Sequence, residues 1–526
     1  MDSANVKNDT NEAAIQNAAE TRTNAGSAAA GINANAAPAQ AVQKSHVDTG
    51  EMVARCRRVL PKALIFAISA VLLLYRNRTS AMYPVFMGIS LGLLARDCKE
   101  AGRSLIRSAA GKPDIKLFYC VVLMLLSITK CVIISPDISW GSGLGILLIW
   151  TCLLLKVYAD REGQEVTEQL AYMVQMLLVP LKHLELPFHD ISVTRRSTAG
   201  EMSPGKKRAR SILIGLLIAI PLIVVILALL SSADMIFGDL VQRILDCIEL
   251  PELGADYFGV PFKLCVSFLA FYCWAGALGK ESFRAPKEGK RFDAVIAITF
   301  NSIIAVIYLI FSGIQFVYLV GRMELPGGYT YAEYAHEGFY QLLAVTILNL
   351  MLVSFCKKHF GENIALKVIL TIISLCTYVM IASSALRMFL YVGVYGLSHL
   401  RVYVLWLLVV LVVWTTLLTV GIYRQGIPFF RIITVFVSVW YLAFAFSVPD
   451  RWIAAYDLQL EVPPVDLAYE VYADATEVIL EDGRYWADFR ENNSYDVGRY
   501  RKRNALQRVR KFNFAEEAAM KLMIDN

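Results

Sequence analysis

Glu333, His336 and Glu337 stand in the stretch 329–343, Tyr-Thr-Tyr-Ala-Glu-Tyr-Ala-His-Glu-Gly-Phe-Tyr-Gln-Leu-Leu, which interrupts a long series of apolar segments. An imidazole beside carboxylates can pass a proton or ligate a metal, given partners within hydrogen-bond reach. Glu333-x-x-His336 is one half of a di-metal carboxylate motif. A second Glu-x-x-His is absent from the chain, and the second histidine of a zinc-protease motif is missing after His336-Glu337. No metal site and no cofactor is therefore expected. Thr330 and Glu333 form Thr-x-x-Glu ahead of an apolar run, a capping-box pattern that assigns both to the start of a helix. His336, Glu337 and, one turn on, Gln341 are left for binding.

A second stretch, 384–403, carries charge and aromatic rings at helical spacing. Arg387, Tyr391 and Tyr395 share one helical face. Gly393 and Gly396 allow a turn, and His399 and Arg401 open the next apolar run. The alternation of loops places this stretch on the same membrane surface as 329–343, so Arg387 or Arg401 is positioned to pair with Glu337. The expected ligand-binding set is His336, Glu337, Gln341, Arg387, Tyr391, Tyr395 and Arg401. The other reading of 384–403 is an interfacial aromatic belt with snorkelling arginines.

These stretches must be held by membrane helices. The chain of 526 residues is 56% hydrophobic and only 18% charged, a balance that excludes one soluble domain. A span needs roughly 20 mostly apolar residues. About eleven segments qualify: 59–75, 81–95, 117–134, 141–158, 211–231, 260–279, 292–320, 338–356, 364–385, 401–422 and 429–447. The fold class is an all-α, polytopic membrane bundle with a small helical tail. Asn301 and Gln315 in the seventh span and Asn349 in the eighth are expected to hydrogen-bond between helices. Most cysteines lie in apolar runs and read as small hydrophobes.

Basic residues recur in alternate connections. Arg55, Arg57, Arg58 and Lys62 open the first span, and Lys280, Arg284, Lys287, Lys290 and Arg291 follow the sixth. The segment 232–259 instead has Arg243 against six carboxylates. The positive-inside rule then gives a multi-pass protein of the cell membrane with its N-terminus in the cytoplasm and, with eleven spans, its C-terminus outside; the basic run 499–511 favours the alternative, an even number of spans.

Three segments do not span. Residues 1–50, rich in Ala, Asn, Thr and Gly, read as a disordered tail. Within the transmembrane domain, 51–448, the segment 165–210 combines an apolar stripe (Leu170, Met173, Val174, Leu177, Leu178, Leu181, Leu184) with the basic run 195–210. It is expected to lie on the inner leaflet, with 195–210 near anionic headgroups. His183, Glu185, His189 and Asp190 in it fit no standard site and read as solvated. Residues 449–526 form a partly helical C-terminal segment that is expected to dock on the membrane domain. The lipid bilayer is the expected partner, and no nucleic acid is.

Gly-Phe-Tyr-Gln-Leu-Leu (338–343), Arg387-Met-x-Leu-Tyr391 with Tyr395-Gly-Leu-Ser-x-x-Arg401, and Pro449-Asp-Arg-Trp-Ile-Ala-Ala-Tyr-Asp457 carry a further observation. Together they resemble an uncharacterised family of bacterial polytopic membrane proteins, the domain of unknown function 4173, related to family 4153. The resemblance covers roughly residues 60–480, with Ser398 in place of Thr and Asp457 in place of Asn. It implies a bacterial cell membrane and no activity. The expected function is non-enzymatic binding of a small ligand, lipid or partner at an outer-leaflet site. The alternatives are a transporter, and an intramembrane enzyme acting on lipid or cell-wall precursors.

Overall fold

The computed structural model describes residues 36–100, 102, 105, 114–159, 166–198, 237–238, 256–278, 291–321, 331–424, 426–461 and 463–526, with side chains except those of 36–48, 166–167, 256–258, 318–321 and 331–338. Helices and turns make up these residues, and among them the only strand-like pairing is one bridge, Phe292 with Phe360. The protein is an all-α polytopic bundle.

Helices α1 (Ala36–Leu74) and α2 (Met82–Glu100) overlap the expected spans 59–75 and 81–95, and neither is among the helices long and apolar enough to cross a membrane. Helix α3 (Ile115–Val132) is followed by α4 (Pro136–Leu154), which ends in a π-helical turn, Leu155–Ala159. Next come α5 (Val166–Lys182) and α6 (Leu186–Thr198), then α7 (Asp256–Ala277), α8 (Ala294–Gly321), α9 (Tyr331–His359), α10 (Ile364–Tyr395), α11 (His399–Tyr423) and α12 (Phe429–Phe446). Eight helices among the described residues, α3, α4 and α7 to α12, are long and apolar enough to cross a membrane. The expected span 211–231 and the residues 1–35 and 199–210 lie outside the described residues.

The chain divides into two compact units, Met1–Pro61 with Glu185–Ala219, and Lys62–Leu184 with Ile220–Asn526. In the first, Arg55 grips Asp190 through two hydrogen bonds of 2.7 and 2.6 Å. Asp190 is fully buried, which corrects its reading as a solvated residue. A carboxylate removed from water needs such a charged, bidentate partner.

In the second unit, α10 is the centre, packed against α8, α9 and α11. Its serines and threonines return hydrogen bonds to their own helix: Thr371 to Lys367 O, Ser374 to Leu370 O and Ser384 to Met380 O. Polar groups are thereby satisfied where hydrocarbon offers no partner, and the small side chains let neighbouring helices approach. The three amides tie helices together as expected. Asn301 Nδ2 donates to Cys356 Sγ (3.3 Å) across α8–α9, Asn349 Nδ2 to Thr377 Oγ1 (3.0 Å) across α9–α10, and Ser383 Oγ to Gln315 Oε1 (2.6 Å) across α10–α8.

Two boundaries move. Helix α10 continues ten residues beyond the expected end at 385, because Arg387, Tyr391 and Tyr395 keep helical spacing up to Gly396. The expected inner-leaflet helix is split by a turn at 183–185, and α5 is apolar on two sides. Tyr172, Met173, Met176 and Val179 are buried, and Trp274 Nε1 of α7 donates to Met176 O (3.0 Å). Leu170, Val174, Leu177, Leu178, Leu181 and Leu184, most of the predicted stripe, are the exposed side.

After α12 the chain forms α13 (Pro449–Asp457), α14 (Leu467–Glu470), a 3-10 turn Ala473–Ala475, α15 (Thr476–Asp482), α16 (Trp486–Asn492), α17 (Ser494–Arg501), α18 (Ala505–Arg510) and α19 (Phe514–Asp525). Leu467, Val471, Ile479, Phe489, Met520 and Met523 are buried among them. These short helices cover one end of the bundle by hydrogen-bonding to backbone groups at its helix ends. Asn513 Nδ2 donates to Lys130 O (3.3 Å) and Ile133 O (3.1 Å) at the end of α3. Arg510 donates to Tyr75 O after α1, and Ala81 N to Phe512 O (2.7 Å). Helix C-termini leave four carbonyls without intrahelical donors, and the C-terminal segment supplies some of what they lack.

Candidate functional site

A cleft of about 820 Å³ opens between α10, α11 and α12. Tyr378, Ile381 and Phe389 line it from α10, Val402, Trp406 and Val412 from α11, and Trp440 and Phe444 from α12. These residues recur on one face of each helix, so the three spans present an aromatic and aliphatic wall. From Val402 to Val412 the wall rises over ten residue steps, about 15 Å at 1.5 Å per residue, half of a hydrocarbon core of about 30 Å. The cleft therefore has the depth of one leaflet. Its volume falls within the range of roughly 300–1,000 Å³ usual for ligand pockets.

The upper rim of the cleft is built by loops and by the C-terminal segment. Leu397, Ser447 and Trp452 line it there. Trp452 belongs to α13, and its Nε1 donates to Ser447 Oγ (3.2 Å). Helix α13 is held in place by buried carboxylates. Asp450 Oδ1 accepts from Tyr472 N (2.8 Å) and stands 3.0 Å from His399 Nε2, an ion-pair distance without hydrogen-bond alignment. The His399 and Tyr472 rings pack at 5.1 Å. Asp457 Oδ1 accepts from Leu397 N (2.6 Å), and Asp474 Oδ2 accepts from Ile134 N and Ser135 N, both at 2.8 Å, between α3 and α4. All three carboxylates are buried.

Burial sets the titration of two of these carboxyls. The Asp474 carboxyl is pushed up to about 7, chiefly by burial and then by Asp450, against the pull of the Ser135 and Ile134 amides and Arg451. Burial raises Asp457 to about 6, with Glu470 adding to it and Leu397 N and Arg401 opposing. Burial, followed by the charges of Asp137 and Asp450, raises the Tyr472 phenol. Among the described residues, no three histidine, cysteine or carboxylate side chains are grouped to hold a metal ion. The cluster works as a clamp: it fastens α13, and with it Trp452, over the ends of α3, α4 and α11.

The residues expected from the sequence are placed as follows. The Tyr391 and Tyr395 rings pack at 4.9 Å, tilted by 39°, and the Arg401 guanidinium sits 4.5 Å above the Tyr391 ring. Arg401 donates to Tyr395 O (2.9 Å), the last carbonyl of α10, and to Gly396 O (2.6 Å) just beyond it. It serves as a C-cap as well as a surface cation. Arg387 is half-buried one turn before Tyr391, and Gln341 is exposed on α9. Thr330 and the side chains of Glu333, His336 and Glu337 lie outside the described residues. What the sequence reading missed is His399, Asp450, Asp457 and Asp474. The signal was available in Pro449-Asp-Arg-Trp-Ile-Ala-Ala-Tyr-Asp, a segment with two carboxylates at its ends and an apolar face between them.

Gly396 joins the two halves of the site. Its φ of +76° and ψ of −172° belong to a region open to glycine almost alone. A Cβ there would stand 2.6 Å from Asp457 Oδ1 and 2.9 Å from Pro464 Cγ. Gly396→Ala is expected to cost about 2 kcal/mol or more, seen as a lower thermal midpoint in detergent.

Residues 120–481 match the model of a domain of unknown function, DUF4153. No curated protein and no solved structure matches the chain. The motifs at 338–343, 387–401 and 449–457, which carry the resemblance to family 4173, all fall within the matched residues, and the match is to its relative, 4153. The chain belongs to the family defined by this domain of unknown function, DUF4153.

Proposed function

We propose that this integral membrane protein binds a membrane lipid through an acyl chain in the cleft between α10, α11 and α12. The cleft itself supports this most directly: about 820 Å³, apolar walls, and the depth of a single leaflet. Lipid tails are as apolar as the wall, so dehydration does not favour the bound chain over bulk lipid. Dispersion contacts with Trp406, Trp440, Phe444 and Trp452, and the rigidity of the three helices, supply the preference. By the positive-inside reading the rim faces the outside of the cell membrane and the cytoplasm lies at the other end. His336, Glu337, Gln341 and Arg387, on α9 and α10, are proposed as the headgroup side of the same region, with Tyr391, Tyr395 and Arg401 as its aromatic and cationic edge.

Ala443→Trp or Val409→Trp places an indole inside the cleft. Native mass spectrometry of the purified protein is expected to show co-purified lipid on the wild type and at least about tenfold less on either variant, a loss of about 1.4 kcal/mol of binding. Ile310→Trp, at an exposed position of α8, is the control and should retain the lipid. Equal lipid content in the cleft variants and the wild type would refute the reading.

A further inference from the structure

We propose that the surface of α17 and α18 rests on the bilayer around the bundle and engages anionic lipid headgroups. The segment 494–511 holds seven basic residues, Arg499, Arg501, Lys502, Arg503, Arg508, Arg510 and Lys511, against one acidic residue, Asp496. Seven cations against one carboxylate complement a surface of anionic headgroups.

The level of the segment in the fold supports the choice of partner. Asn513 binds the carbonyls that end α3, a membrane-spanning helix, and Phe512 and Arg510 bind the turn between α1 and α2. Helix α18 ends in one of these anchors, Arg510, and directly precedes the others, so it lies where the spans leave the hydrocarbon. At that level Leu506 is 76% exposed and Val509 66% exposed. They are three residues apart, on one side of α18, and Phe514 adds a third exposed apolar group. Exposed large hydrophobes flanked by cations form the pattern of a segment seated at a membrane interface.

The basic residues divide by role. Arg503 is engaged by Glu516 through bonds of 2.9 and 2.6 Å, and Arg510 by Tyr75 O. Arg499, Arg501, Lys502 and Arg508 are exposed and face outward from this framework. The Lys511 ammonium is held below its ordinary value, first by burial and then by the charges of Arg499, Arg503 and Arg510 beside it, with Glu516 opposing. An anionic headgroup offsets these positive charges.

The test uses the full-length protein in nanodiscs of phosphatidylcholine, with and without phosphatidylglycerol. Amide hydrogen exchange over 502–511 should slow by roughly tenfold with phosphatidylglycerol and recover in high salt. The variant Arg501→Gln, Lys502→Gln, Arg508→Gln should lose the slowing while keeping the exchange pattern of α19. Leu506→Trp should be quenched by brominated lipid in the anionic discs. Exchange that is indifferent to lipid charge, with an unquenched indole, overturns the proposal. Protection in detergent that grows with protein concentration also overturns it, in favour of self-association.

Discussion

Asp450→Ala releases the C-terminal helices from the bundle. In the wild type this buried carboxylate accepts from Tyr472 N and sits 3.0 Å from His399. Its removal leaves a buried amide without its acceptor and an imidazole without its counter-charge. Breaking one side of a buried charged pair costs about 3–5 kcal/mol. The expected result is a thermal midpoint well below that of the wild type, and cleavage by trypsin at Arg451 and beyond under conditions that spare the intact protein. Asp450→Asn keeps an acceptor for Tyr472 N and should fall between the two. Since α13 carries Trp452 into the wall of the cleft, Asp450→Ala should also lose the co-purified lipid. Unchanged melting and proteolysis would mean that the carboxylate does not clamp the segment.

The second large effect is a dependence on pH with the opposite sense to ordinary acid unfolding. The Asp474 carboxyl protonates at about 7 in the fold, against an ordinary value of 3.8. Between those values the folded chain holds a proton that the unfolded chain has released. Stability from this group is therefore complete below about pH 4 and is lost as pH rises through 7. At about 1.4 kcal/mol per unit, the loss reaches up to about 4 kcal/mol. Asp457, raised to about 6, acts in the same direction over a narrower window. The thermal midpoint in detergent should be higher at pH 5 than at pH 8, and Asp474→Asn, which can still accept from Ile134 N and Ser135 N, should flatten the difference. A midpoint that rises toward pH 8, or a slope that survives Asp474→Asn, would show that this carboxyl does not govern docking.

The two effects share a physical origin. The C-terminal segment attaches through polar groups withdrawn from water as well as through apolar residues, Ile453 and Leu467 among them, that join the core of the bundle. Its apolar residues, such as Leu467, Ile479, Phe489 and Met520, form one buried cluster with Leu397 and Val402 of the bundle. Below roughly 80 residues a core supplies limited stability alone, so docking carries much of the segment's order. A device of this kind is sensitive to single substitutions and to proton concentration, because each buried charge depends on one or two named partners.

Much of the membrane part was legible. Long apolar runs locate spans because a helix is the economical way to satisfy backbone groups in hydrocarbon. Asn301, Gln315 and Asn349 were legible for the same reason: an amide in a span must find a partner, and neighbouring helices provide it. The end of α10 was misplaced because interfacial arginine and tyrosine residues lower hydropathy without breaking a helix. The two-sided character of α5 was hidden because periodicity reports that a face is apolar, not what covers it.

The sequence by itself determined that the chain crosses a membrane repeatedly, where most spans lie, and that 384–395 presents an arginine and two tyrosines on one helical face. Those features follow from local composition and from the fixed period of a helix. Tertiary structure alone decided the clamp and the cleft. Asp474 meets Ile134 across 340 positions and Asp457 meets Leu397 across 60. In the sequence each of these carboxylates looks like any solvated residue of a polar tail. Only the fold removes it from water, and only then does it require the amide or imidazole that gives it a role. The cleft is likewise a property of three helices held apart at fixed spacing, which no single helix encodes.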